Sequence, residues 1–263
     1  MAISNGNRLL VEERRRDILA ILETADRVTV KELSERYGIS AVTVRGDLDA
    51  LADAGVVLRS HGGAVKNTDP LIDYPIEFKK SLHHAEKVRI GEMAAGLIHP
   101  NQIVILDSGT TTAEVARSLR SSRIRPVTVI TNALNIAMEL VNIVDISVVM
   151  LGGMVRQMSY SLVGPQAEQT LHGLRADHLF LGVDGLDPEV GITTPDILEA
   201  KLNALMMEIV REVTVVADSS KLGRRSLSVI GRIESVQRVI TDLGADEQSL
   251  SALRAAGLEV LTV

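Results

Sequence analysis

Residues 38–49 read Gly-Ile-Ser-Ala-Val-Thr-Val-Arg-Gly-Asp-Leu-Asp, and the first three of them are a joint between two helices. Gly38 ends one helix in the left-handed conformation that glycine tolerates, and Ser40 caps the next. Upstream, Thr29 and Glu32 form a capping box that opens the first of the pair, whose apolar face is Leu33 and Tyr37. Downstream, Val44, Leu48 and Leu51 make the buried stripe of a helix that ends at Gly55. A three-residue joint between two short helices is the turn of a helix-turn-helix. An earlier helix over 12–24 presents Ile18, Ile21 and Leu22 on one face. After Gly55, residues 56–59 read as a strand, and His61, Gly62 and Gly63 as a turn into Ala64 and Val65. That adds a wing.

Placing Val44 inward leaves Val42, Thr43, Arg45, Gly46 and Asp49 on or near the outward face. Short side chains at the N-terminal end, followed by an arginine, suit a helix that enters the major groove of DNA. Val42 suits a thymine methyl, Thr43 a phosphate, and Arg45 a guanine edge or a phosphate. Arg59 and His61 fall near the tip of the wing. A three-helix scaffold or dimerisation module with solvated charges fits the same helical pattern, so pattern alone leaves both readings open. Residues 1–66 hold ten Lys plus Arg and ten Asp plus Glu, leaving 18 basic and 24 acidic residues beyond them and a net charge of −6. A neutral head is not the basic footprint of a strong DNA binder, so it needs local placement of charge or several copies at once. The acidic remainder argues against a nucleic-acid channel there.

With 263 residues, 46% hydrophobic and 24% charged, the chain has material for two globular domains. Cysteine is absent, which removes disulfides, thiolate catalysis and Cys-based zinc sites. No metal and no cofactor is expected. The longest apolar runs are strand-sized, as at 213–217, and Leu9-Leu-Val11 is followed at once by the charged stretch 12–17. Neither a membrane span nor a secretory signal is expected, and a cytoplasmic protein fits.

A polar break at Asn67, Thr68, Asp69 and Pro70 divides the chain into a winged helix-turn-helix domain (1–66), a linker (67–83) that turns partly helical towards its end, and a larger domain (84–263). In the larger domain, strands are expected over 103–106, 127–130, 146–151, 178–183, 213–217, 236–240 and 259–263. Helices are expected over 113–119, 133–141, 165–172, 198–210 and 247–256. This alternation predicts an α/β domain with a mostly parallel sheet covered on both faces.

In such sheets ligands bind beyond the carboxyl ends of the strands. Those ends carry Asp107-Ser108-Gly109-Thr110-Thr111-Thr112, then Thr131-Asn132, then Gly152-Gly153 with Arg156, then Asp184-Gly185, and finally Asp218-Ser219-Ser220-Lys221. Strand, Ser-Gly-Thr-Thr-Thr, then helix places backbone N–H groups and hydroxyls at a helix start, a ready phosphate site. No Gly-Lys-Ser/Thr follows, so it is not a triphosphate-hydrolysing loop. Simple N-capping fits Thr110 to Thr112 equally. Arg156 and Lys221 suit a bound phosphate, or surface salt bridges. Asp184 and Glu199 suit sugar hydroxyls, or helix capping.

The run from Arg16 through Ile18 to Thr43-Val-Arg-Gly-Asp-Leu48, followed by Arg59-Ser-His-Gly-Gly-Ala64, resembles the winged helix-turn-helix of the DeoR family. Where members often carry a basic or amide residue, this chain has Gly46, at a cost in helix stability of about 1 kcal/mol. The strand-end loops, with Gly182-Val-Asp-Gly185 and the run 218–223, resemble the effector domain of the same regulators. That resemblance implies a fold like ribose-5-phosphate isomerase, a phosphorylated sugar as ligand, operator DNA as partner and a homo-oligomer, dimer or tetramer. Ser159-Tyr-Ser-Leu-Val-Gly-Pro-Gln-Ala-Glu168 most resembles regulators of N-acetylgalactosamine and related amino-sugar catabolism. The implied role is a repressor of such an operon, released by its phosphosugar.

Retained isomerase activity is the alternative. Isomerisation needs a general base and a positioned cation. Asp184, Asp187 and Glu199 resemble the acidic positions of the isomerases, which place a lysine in the loop that follows. Residues 189–197 contain none. Binding acids without that cation suit a sensor, not an enzyme.

Overall fold

A computed structural model describes residues 9–67, 69 and 73–263. The chain divides into two compact units, residues 1–82 and 83–263. The first unit runs α1 (Val11–Thr24), β1 (Arg27–Thr29), α2 (Val30–Tyr37), α3 (Ala41–Asp53), β2 (Val57–Ser60), β3 (Gly63–Lys66) and α4 (Ile76–Ser81). Thr29 and Glu32 close the capping box in both directions, at 3.2 and 3.0 Å. Gly38 sits at φ 62°, and Ser40 Oγ accepts the Thr43 N–H at 3.1 Å. Ile18, Leu22, Leu33, Val44, Leu48 and Leu51 form one buried cluster under the sheet β1-β3-β2.

Two features depart from the sequence reading. The wing has a third strand, β1, paired antiparallel with β3; three residues are too few to show alternation. The segment read as a linker turning helical towards its end carries α4 there, but Tyr74, Phe78 and Leu82 pack on the core of the first unit. Within that segment, Thr68 and residues 70–72, Pro70 among them, lie outside the described residues.

The second unit runs α5 (His84–Ala95), β4 (Ile103–Leu106), α6 (Thr110–Ser121), β5 (Val127–Thr131), α7 (Leu134–Leu140), β6 (Ile146–Met150), β7 (Met154–Arg156), β8 (Ser161–Val163) and α8 (Pro165–Leu171). It continues with β9 (Ala176–Gly182), β10 (Gly185–Asp187), β11 (Gly191–Thr194), α9 (Ile197–Glu208), β12 (Val210–Val216), β13 (Ser228–Gly231), β14 (Arg238–Thr241), α10 (Glu247–Ala255) and β15 (Glu259–Thr262). Seven strands form one sheet in the order β15-β14-β12-β9-β4-β5-β6, all parallel. The pleat sends alternate side chains to opposite faces. Val104, Leu106, Val129, Phe180 and Val216 join α5, α6 and α7 on one side. Ile105, Ile130, Leu179, Leu181 and Val215 join α8, α9 and α10 on the other. Both faces are dry, so the strands read as continuous apolar runs.

This strand order fixes where a ligand belongs. From β4 the chain winds outward through β5 and β6, then returns to the other side of β4 and winds through β9, β12, β14 and β15. The winding reverses between β4 and β9. In open sheets of this kind, such a reversal is where loops leaving neighbouring strands diverge and a crevice forms at the strands' carboxyl ends.

Candidate functional site

On the first unit, α3 buries Val44, Asp47, Leu48 and Leu51 and turns the opposite face to solvent. Val42 is 74% exposed; Thr43, Arg45 and Gly46 are exposed beside it. A Cβ at Gly46 would meet nothing within 4 Å, so no close contact within the chain requires glycine there. Arg59 bridges helix and wing: its Nε pairs with Asp49 at 2.9 Å, and its Nη1 donates to the Gly63 carbonyl at 2.7 Å. His61 is exposed in the turn between β2 and β3. Asp47, beneath this face, holds two arginines of α1: Arg14 at 2.5 Å and Arg15 at 3.1 Å. The sequence reading missed this lock, although an acid three residues from Val44 and four from Leu51 must point inward with them.

On the second unit, α6 begins at Thr110, with Gly109 at the cap position (φ 143°) and no side chain capping the first turn. The Thr112 hydroxyl donates to the Gly109 carbonyl at 3.1 Å. The Thr131 hydroxyl donates to the Leu106 carbonyl at 2.6 Å and accepts the Ala133 N–H at 3.1 Å, which ties β4 to β5. Ser108 and Thr110 are partly exposed, and Thr111 is buried. Gly153 has a structural reason for being glycine: at φ 126°, its Cβ would lie 2.5 Å from the Val163 carbonyl oxygen.

The strand-end cations are met by acids. Arg156 pairs with Asp196 at 3.0 Å and Glu199 at 3.5 Å, and its Nη1 donates to Ser159 Oγ at 3.0 Å. Lys221 stands 3.7 Å from Asp184. Burial raises the Asp218 carboxyl, but Lys221, Lys87, the Ser220 hydroxyl and His83 together hold it below the usual carboxylate range. Burial, then repulsion from Glu199, pushes Asp107 well above that range, which favours its neutral form. Asp187, read as an isomerase-like acid, accepts from Arg225 at 2.7 and 3.1 Å and from the Glu189 and Val190 N–H groups. Burial alone would raise it, yet these donors lower it. The two residues lie 38 apart in sequence, so no local pattern announces the pair.

The model of the DeoR-like helix-turn-helix domain matches residues 14–69, and that of the DeoR C terminal sensor domain matches residues 82–243. The chain belongs to the DeoR family. A putative aga operon transcriptional repressor from Escherichia coli O157:H7 is 41% identical over 253 residues, covering 95% of this chain and 93% of that one. The HTH-type transcriptional regulator GlpR of Haloferax volcanii is 38% identical over 253 residues, covering 96% and 98%. A ribose 5-phosphate isomerase A from Methanocaldococcus jannaschii aligns over 54% of this chain and 56% of its own, at 19% identity and a TM-score of 0.41. As a DeoR-family regulator, the chain carries its helix-turn-helix match on the first unit and its sensor match across the β4–β9 crevice.

Proposed function

We propose that this DeoR-family regulator represses a sugar or amino-sugar catabolic operon. It holds the operator through α3 and the wing, and lets go when a phosphorylated sugar enters the crevice of the sensor unit. The observation that carries the sensor half is the start of α6. Its first turn has no side-chain cap, it opens at the reversal point of the sheet, and Arg156 and Lys221 follow β6 and β12, each two strands from β4. Phosphate takes the Ser108–Thr112 turn, where N–H groups and the helix dipole favour an anion. Asp184 and Glu199 take hydroxyls, displacing Lys221 and Arg156 towards the phosphate. An isomerase reading is disfavoured, because the four donors to Asp187 suit a fixed carboxylate rather than a proton-abstracting one.

The regulator acts in the cytoplasm as a homo-oligomer. Among the described residues, no helix is long and apolar enough to cross a membrane. Leu134 and Met138 of α7 and Val141 at its C-cap, exposed by 38, 73 and 56%, follow one another at helical spacing and offer an apolar stripe for self-association. Several heads on one DNA then compensate for a neutral head by raising effective concentration.

The test is a titration of the protein, bound to DNA selected by it in vitro, with a panel of hexose, pentose and amino-sugar phosphates. One member should release the DNA, and DNA should weaken that ligand by the same factor, since coupling is reciprocal. Thr111→Ala and Lys221→Ala should bind DNA and lose the response. DNA affinity unchanged at saturating concentrations of every phosphosugar refutes the switch.

A further inference from the structure

One hydrogen bond below the crevice lies a set of buried polar side chains that stability alone does not call for. Asp107, Asn132, Ser161, Glu199 and Asn203 are each 7% exposed or less. Ser108, at the crevice, donates to Asp107 at 3.4 Å. Asn203 Nδ2 donates to the other Asp107 oxygen at 3.3 Å, and Ser161 Oγ donates to Glu199 at 2.7 Å. Leu106 pairs with Thr131 across β4 and β5, so Asp107 and Asn132 come next on adjacent strands. Ser161 bridges to Ala133, the residue after Asn132.

Within this set Asn132 Nδ2, Asn132 Oδ1 and Asn203 Oδ1 are buried without a partner. An orphaned buried amide costs free energy that a leucine of similar size avoids, so each such atom calls for an explanation. Two amides offer donors and acceptors to an uncharged polar group. Once the ligand displaces Arg156, the Glu199 carboxylate, which already opposes ionisation of Asp107, repels any further carboxylate.

We propose that this cluster receives the end of the effector remote from its phosphate and accepts only an uncharged group there: a hydroxyl, a carbonyl or a carboxamide, but not a carboxylate. The proposal rests on the phosphosugar reading above and adds Asn203 to the site. The environment that drives Asp107 towards its neutral form penalises any ligand carboxylate in the same way.

The experiment uses pairs of probes that share phosphate and carbon chain but differ at carbon one. Glucose 6-phosphate is matched with 6-phosphogluconate, galactose 6-phosphate with 6-phosphogalactonate, and ribose 5-phosphate with 5-phosphoribonate. Each is titrated calorimetrically into the full chain. At least one sugar phosphate should bind, with its acid about tenfold weaker or worse. A pair bound equally, or the acid more tightly, overturns this proposal and leaves the phosphosugar reading standing. No binding by any member, nor by the amino-sugar phosphates of the wider panel, overturns both. Asn203→Leu should stay folded, with a modest loss of melting point for the donor that Asp107 loses, and lose about tenfold or more in affinity for the sugar phosphate that binds. Unchanged affinity in that variant means the amide edges hold only water, and the proposal falls.

Discussion

Asp47→Ala removes the carboxylate that pairs with both Arg14 and Arg15, and the consequences follow from burial. The Arg14 and Asp47 side chains are only 7 and 3% exposed, and Arg15 is 25% exposed. Without Asp47, the buried Arg14 guanidinium keeps the Leu9 carbonyl but no countercharge among the described residues, which costs about 3–5 kcal/mol. The more exposed Arg15 adds little. A unit ending at residue 82 has a total stability of about 4–12 kcal/mol on the usual scale per residue, so the loss consumes a large part of it. Hydrogen exchange reads the effect by region. Amides of α1 and α3 should exchange about two to four orders of magnitude faster, and those of β4, β9 and β12 should not change. Replacing the pair with Arg14→Met and Asp47→Leu should return the head to parental stability or better, because the cost lies in the uncompensated charge. Exchange in α1 and α3 within about threefold of the parent for Asp47→Ala, under 1 kcal/mol, would refute the reasoning.

Three further outcomes are expected. Burial lowers the His178 pKa to about 4, so between pH 6.5 and 4 the unfolded chain binds the proton that the fold excludes; acid should cost the sensor unit up to about 3 kcal/mol across that window, measured by urea unfolding against pH. His178→Gln should flatten the profile. Gly46→Ala should raise the unfolding free energy of the head by about 0.5–1 kcal/mol, because the added methyl meets nothing within 4 Å; a lower melting point in that variant contradicts this. Arg45→Ala should weaken operator binding by about 1–3 kcal/mol if it reads a base, whereas Arg59→Ala and His61→Ala should weaken it with little change in sequence preference; competition binding against mutated operators separates the two.

What was legible in the sequence was whatever local chemistry settles. The caps at Thr29 and Ser40 and the stop at Gly38 depend on neighbours three or four residues away, and the central strands announce themselves as apolar runs. Helix α5 was missed for a physical reason. Its buried positions are Lys87, Ile90, Gly91, Ala94 and Ala95, a helical stripe in spacing but not in hydrophobicity. The sheet β10-β11-β13 was missed because its strands are short and β13 comes from beyond α9. The strand-end loops were legible as a group. Which of their side chains the fold itself employs was not: Thr131 and Thr112 bond to backbone carbonyls, and Arg225 reaches Asp187 across 38 residues.

Gly91 is where α5 meets α6. A Cβ there would lie 2.6 Å from the backbone carbonyl carbon of Glu114, so the two helices run backbone against backbone with no play between them. Such a joint transmits a push instead of absorbing it, as a keyed shaft does. Glu114 is one turn along from the Thr110 end of α6, and α5 is the first element that the chain enters after residue 82. If a ligand shifts the start of α6, as the proposed switch requires, α5 has to move with it. A bulkier residue at position 91 would loosen that fit and dull the response while leaving each site chemically intact.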